Sequence, residues 1–218
     1  MKEKVTVKKI NFTIVIFTIS IIVFILDFFI LLQDNTIVFS INHLILGNNW
    51  GILTEYGRLN GADIFAGQWW RLITSIFLHA GIPHLIVNMI ALLIVGFIVE
   101  EKIGSKRYVI TFMGSGIISA LFTMTHTNGA VGASGAIYGI IGAMMVIFAK
   151  ESSYIVCKMS LIKWILLILY LILPNLSGIV TIIAHISGLF SGIIITLFMY
   201  SFFKITVTHI NKKDHYSQ

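Results

Sequence analysis

Six apolar runs, at about residues 10–33, 83–99, 108–125, 134–149, 159–178 and 179–203, constrain this chain more than any other feature of it. Crossing a hydrocarbon core about 30 Å thick takes about 20 apolar residues in a helix. Within lipid, every backbone N–H and C=O has to find its partner inside the protein, which a helix achieves within the segment itself. Each run therefore predicts one spanning helix, and the fold class is all-α: a polytopic membrane protein built as a six-helix bundle. The runs leave no room for a soluble domain among 218 residues, of which 57% are hydrophobic and 11% charged, against about 25% charged in soluble proteins.

One membrane domain over residues 10–203 is expected, with a basic tail at 1–9 and a second tail at 204–218. The first run is longer than the apolar core of a signal peptide and has no small-residue cleavage site after it, so it reads as a retained span. Asp27 lies inside it, where an acid is a functional candidate by default; its nearness to the end of the run favours a carboxylate that snorkels or is internally paired. Between the first two spans, residues 34–82 form a long interfacial loop. Its apolar patches 37–46 and 64–77 are expected to lie at the membrane surface, with Trp69 and Trp70 as headgroup-level anchors.

The net charge of +6 does not point to nucleic acid, because the basic residues sit in short clusters beside apolar runs, where membrane topology requires them. With both termini in the cytoplasm, 13 of the 15 basic residues fall on the inner side, all but Arg58 and Arg71. The single cysteine, Cys157, excludes an internal disulfide and reads as a small apolar filler.

Within this frame, Gly132-Ala133-Ser134-Gly135 places a serine where a loop enters the fourth span. Small residues at four-residue spacing, such as Gly135 and Gly139, also serve close packing of membrane helices. What gives Ser134 chemical meaning is its company. Measured from the charged cytoplasmic end of each span at about 1.5 Å per residue, Ser134 and His84 stand about 24 Å up, Asn88 about 18 Å and His185 about 28 Å. Four polar residues from three spans thus share one layer in the outer half of the bilayer.

His84 and Asn88 are four residues apart and project from one helical face. Ser134 begins its helix, where backbone N–H groups lack intrahelical partners and the helix dipole favours an anion. Gly188 and Gly192 offer the sixth span a GxxxG face, and Gly135, Gly139 and Gly142 answer it from the fourth, an approach that brings His185 beside Ser134. A serine hydroxyl needs a base within hydrogen-bond reach, for which His185 is the candidate. Acyl transfer also needs donors for the developing oxyanion, and His84, Asn88 and the Ser134 N–H can supply them. No acid is placed to orient His185, so a Ser-His dyad is expected, with Tyr138 packed on the imidazole. No cofactor is called for. A metal site is the weaker reading, since no His-Glu-x-x-His pattern occurs and His79 with His84 lies half in a loop.

These residues resemble the rhomboid family of intramembrane serine proteases. The resemblance is carried by Gly67-Gln68-Trp69-Trp70-Arg71, Phe77-Leu78-His79-Ala80-Gly81, His84 with Asn88, Glu100 with Gly104 and Arg107, Gly132-Ala133-Ser134-Gly135 with Tyr138, and Ala184-His185-Ile186-Ser187-Gly188. It runs in family order over about residues 60–195. It implies a rhomboid-like six-helix bundle, Ser134 as nucleophile, His185 as base, His84 and Asn88 as oxyanion-stabilising residues, and structural roles for His79, Trp70, Arg71 and Glu100. It further implies substrates that are transmembrane proteins, cut near the outer face, and a location in the cell membrane. Ser187 departs from the family, which commonly has glycine there, and is expected to loosen the contact between the fourth and sixth spans slightly. Two other classes stand beside the protease. A rhomboid-like binding module without catalysis is one, although Ser134 and His185 are both present. A transporter is the other, although no internal repeat occurs and the polar layer lies above the midplane.

Overall fold

A computed structural model of the chain describes residues 10–34, 57–126 and 130–202, and Ile45. In order these form α1 (Phe12–Asp34), α2 (Gly61–Phe65), α3 (Arg71–Phe77), α4 (Ile82–Ile103), α5 (Ser105–Thr123), α6 (Ser134–Lys150), α7 (Ser152–Lys158), α8 (Leu161–Ile172), a 3-10 turn (Leu173–Ser177) and α9 (Ile179–Phe202). The described residues contain no strand beyond an isolated bridge between Leu59 and Ala130. The protein is an all-helical, multi-pass membrane bundle.

By length and hydropathy alone, α1, α4 and α9 suffice to cross a membrane, and a fourth span arises if α7 and α8 with its turn, bent by 102°, count as one. The six expected runs correspond to α1, α4, α5, α6, α8 with its turn, and α9. Position explains why α5 and α6 are less obvious. Helix α6 has 17 residues and packs most extensively against α9, then α5 and α4. Helix α5 turns Thr111, Ser115, Gly116, Ser119 and Thr123 inward. A helix surrounded by other helices meets little lipid, so small and polar residues replace the aliphatic ones that a lipid-facing helix needs.

Close approach is built into the α6–α9 contact. A Cβ added at Gly188 or Gly192 would run into the carbonyl oxygens of Gly135 and Gly139, and one at Gly142 into that of Leu189. Backbone meets backbone there, which glycine alone permits. Ser187 does not intrude: its hydroxyl turns back to the carbonyls of Ile183 at 2.6 Å and Ala184 at 3.1 Å on its own helix. Gly188, not Ser187, is the residue whose backbone meets α6 at Gly135.

At the opposite end from Ser134, the Glu100 carboxylate accepts from the Phe12 and Thr13 N–H groups and the Thr13 hydroxyl, each at 2.8 Å, and from Ser105 Oγ at 2.7 Å. An acidic side chain from α4 thus caps the first turn of α1, satisfying donors that α1 itself cannot. Gly104, at φ +83°, joins α4 to α5 in the left-handed region that glycine tolerates. Helix α7 is tied to the C-terminal end of α4 by Lys158 to Glu101 at 2.9 Å, by Lys102 to Glu151, and by the Tyr154 hydroxyl donating to the Ile98 carbonyl at 3.0 Å.

The described part of the long loop is structured. Arg71, buried, donates to Gln68 Oε1 at 2.7 Å and the Arg58 carbonyl at 3.0 Å, and pairs with Asp63 at 3.4 Å. Trp69 and Trp70 are more than half exposed. The patch 37–46 lies outside the described residues apart from Ile45. Leu59 and Ala130 exchange two backbone hydrogen bonds of 2.9 Å, and the Gly132 N–H donates to the Ser75 carbonyl at 2.9 Å. The loop therefore holds the segment that leads into Ser134. Asp27, half-buried, has an Oδ1 that is buried without a hydrogen-bond partner, and it lines a cavity of about 270 Å³ with Thr74 and apolar side chains.

Candidate active site

Ser134, His185, His84 and Asn88 all line one cavity of about 690 Å³. The depth agreement of four residues from three spans is thus a meeting in space. The cavity extends from these polar groups to the apolar flank of α4 and α8, where Val87, Ile90, Leu166 and Leu169 are exposed. One end of the cavity is polar and its flank along α4 and α8 is apolar and exposed.

Ser134 is the first residue of α6, and the residue before it, Ala133, provides no side-chain cap. The first N–H groups of the helix are therefore not satisfied by a capping side chain and remain available for an anion. Gly132 is doubly required in the approach to Ser134. Its φ of +126° disfavours a side chain, and a Cβ there would sit 2.7 Å from His84 Cε1 and 2.9 Å from Nε2. The loop backbone thus presses against the His84 ring. Gly135 is hemmed in by Ser119, whose hydroxyl donates to the Ala184 carbonyl at 2.8 Å, next to His185.

Asn88 is fixed at both ends of its amide. Its Nδ2 donates to the His84 carbonyl at 2.9 Å, and its Oδ1 accepts from the Tyr170 hydroxyl at 2.9 Å. One N–H of the amide is not used in these two bonds. His79 packs edge-on against His84, with ring centroids 5.3 Å apart, and its Nδ1 donates to the Phe77 carbonyl at 3.2 Å. Burial, and secondarily the adjacent His84, push the His79 imidazole down to about 3, so it is neutral at physiological pH. No group of three metal-ligating side chains occurs among the described residues.

His185 is 1% exposed. The Tyr138 ring lies flat on its imidazole, with centroids 4.0 Å apart and planes 8° from parallel. On its edge, Nδ1 is 2.8 Å from Asn175 Oδ1. Asn175 also donates to the Leu171 carbonyl at 2.7 Å and to the Tyr138 hydroxyl at 3.0 Å. The Tyr138 hydroxyl in turn lies 3.1 Å from the Tyr170 carbonyl and 3.2 Å from that of Leu171.

Those carbonyls are available because of Pro174. In an α-helix the Tyr170 carbonyl would receive the N–H of residue 174, and in a 3-10 turn the Leu171 carbonyl would; proline has none. Side chains of Tyr138 and Asn175 fill the gap. Asn175 and Tyr170 were not singled out by the sequence reading. A signal existed: both are hydrogen-bonding residues close to a proline in a mostly apolar run.

The family model described as the Rhomboid domain matches residues 66–202. RHOMBOID-like protein 5 of Arabidopsis thaliana is 37% identical over 107 residues, 47% of this chain and 35% of that protein. Rhomboid protease GluP of Bacillus subtilis is 39% identical over 94 residues, 43% of this chain and 18% of GluP. Another Bacillus subtilis relative is 31% identical over 135 residues, 60% of this chain and 67% of its own length. The chain thus spans well under half of the first two relatives.

Proposed function

We propose, from the premise that this chain belongs to the rhomboid family, that it is an intramembrane serine endopeptidase working through Ser134 and His185. The observation that carries this reading is the single cavity shared by Ser134, His185, His84 and Asn88, open along the lipid-facing flank of α4 and α8. In the reaction, Ser134 Oγ bonds to the carbonyl carbon of the scissile amide while its proton passes to His185. The resulting oxyanion is received by His84, Asn88 and the Ser134 N–H. His185 then gives its proton to the departing amine as the C–N bond breaks. A water molecule, deprotonated by His185, hydrolyses the acyl-enzyme, releasing the carboxylic acid and restoring Ser134.

Substrates are membrane proteins whose spans enter past α8. A peptide bond in an intact helix is shielded, and its carbonyl is occupied by the helix ladder, so cleavage requires local unwinding. Freed backbone groups are costly in lipid but tolerated in a protein cavity that admits water. Spans with Gly or Pro in the outer half are therefore preferred. The positive-inside pattern supports a site near the outer face of the cell membrane and cytoplasmic termini.

The test is labelling by a fluorophosphonate probe, together with cleavage of a single-span reporter. Wild type should be labelled and cut the reporter, whereas Ser134→Ala should do neither while remaining folded. Reporter cleavage should fall when its Gly and Pro are changed to Leu. An unlabelled wild type would sink the protease reading in favour of a binding module, and undiminished cleavage of the Leu reporter would sink unwinding as the basis of selection.

A further inference from the structure

We propose that Asn175 is a positioning residue that holds the His185 imidazole in its Nδ1–H form, leaving Nε2 as the nitrogen that takes the Ser134 proton. The argument starts from a group with no choice. The Leu171 carbonyl can only accept, and it lies 2.7 Å from the Asn175 amide, too close for two oxygens, so the amide nitrogen must be the atom on that side. The second N–H of that nitrogen goes to the Tyr138 hydroxyl at 3.0 Å. This is consistent, since the Tyr138 proton is directed to the carbonyls of Tyr170 and Leu171, leaving a lone pair to accept.

With the amide orientation settled, Oδ1 is the atom that faces His185 Nδ1 at 2.8 Å. An amide oxygen cannot donate, so Nδ1 must carry the hydrogen. In a neutral imidazole the lone pair is then on Nε2. Tyr138 covers the ring face and Asn175 holds its edge, which leaves the imidazole one orientation. The task that an acid performs in a Ser-His-Asp arrangement, fixing tautomer and orientation, falls here to an amide from another helix. Its position depends in turn on Pro174, which frees the carbonyls that orient it.

The consequence for rate rests on the serine-protease reading, but the tautomer does not, so the two can be tested apart. Protein labelled with 15N-histidine is measured by long-range proton–nitrogen correlation, with His185 assigned by comparison with His185→Gln. Wild type should show a protonated Nδ1 and an unprotonated Nε2. Asn175→Leu should lose that pattern in favour of the Nε2–H form or a mixture, and its fluorophosphonate labelling should slow by about 100-fold, the low end of what a well-placed base contributes. Asn175→Asp keeps an acceptor oxygen for His185 but sets its second oxygen against the Leu171 carbonyl, so it should restore the Nδ1–H signature and recover only part of the labelling rate. An unprotonated Nδ1 in wild type overturns the proposal, as does Asn175→Leu with the wild-type spectrum and rate. If Asn175→Leu does not fold, the wild-type and Asn175→Asp spectra still decide. A wild type with the expected tautomer but no labelling would instead overturn the protease reading.

Discussion

His84 and Asn88 show how two side chains one turn apart are prepared differently. Asn88 is held by Tyr170 and by the His84 carbonyl, whereas His84 is positioned by packing, with Gly132 against one part of its ring and His79 against another. Both are expected to donate to the oxyanion without taking part in proton transfer. His84→Ala and Asn88→Ala should therefore each lower kcat by about 100- to 1000-fold, the usual loss for one oxyanion donor, and leave measurable activity. Initial rates on the single-span reporter check this. A residual rate no different from that of Ser134→Ala would assign the residue to the proton-transfer step instead. Glu100 and Arg71 belong to another category: both are buried and fully engaged in holding segments together, Glu100 at the start of α1 and Arg71 within the loop.

Among the elements, the pairing of α6 with α9 decides whether a site exists. Ser134 and His185 are on separate helices, and what brings them to one cavity is backbone contact at Gly135, Gly139, Gly188 and Gly192. Gly192→Ala places a methyl group against the Gly139 backbone, which cannot move aside as a side chain would. It should destabilise the protein by about 1–3 kcal/mol, as overpacking does, and slow probe labelling by moving His185 away from Ser134. Gly114→Ala is the matched control: its methyl would lie 3.1 Å from Ile195 Cδ1, the tip of a flexible side chain. Thermal unfolding in detergent and labelling rates should separate the two variants. Equal stability and equal rates would show that the α6–α9 distance does not depend on Gly192. Helix α8 is the contrasting element, with only Leu167 and Tyr170 buried. Its apolar surface is exposed along the cavity, while its C-terminal end, through Tyr170 and the turn carrying Asn175, reaches Asn88 and His185.

For the molecule as a whole, the orientation proposed in the membrane rests on charge. Cys157 is an exposed thiol on α7, beside Lys158, and α7 is tied to the C-terminal end of α4. As the only cysteine in the chain, it reports on one side of the membrane without further engineering. A membrane-impermeant maleimide should label it in inside-out vesicles and not in intact cells stripped of their wall. Labelling from outside would invert the topology and turn the cavity toward the cytoplasm.

Some of this was legible in the sequence because it depends on local properties. Run length is set against a fixed bilayer thickness, so the helices could be read from composition alone, although the fifth run proved to be a helix ending in a 3-10 turn. Depth follows from residue counts along a helix, so Ser134, His84, Asn88 and His185 could be placed in one layer before any contact was known. Rotation of each helix about its axis could not be read in this way. A helix apolar on all sides carries no hydrophobic stripe to say which face turns inward, and lipid does not discriminate between faces. That choice was made by glycine packing and by buried hydrogen bonds, and with it came the pairing of Leu59 with Ala130, the solitary Asp27 Oδ1, and the contact of Asn175 with His185. Asn175 lies ten residues before His185 on a separate helical segment, and only folding brings an amide oxygen to an imidazole nitrogen across that turn.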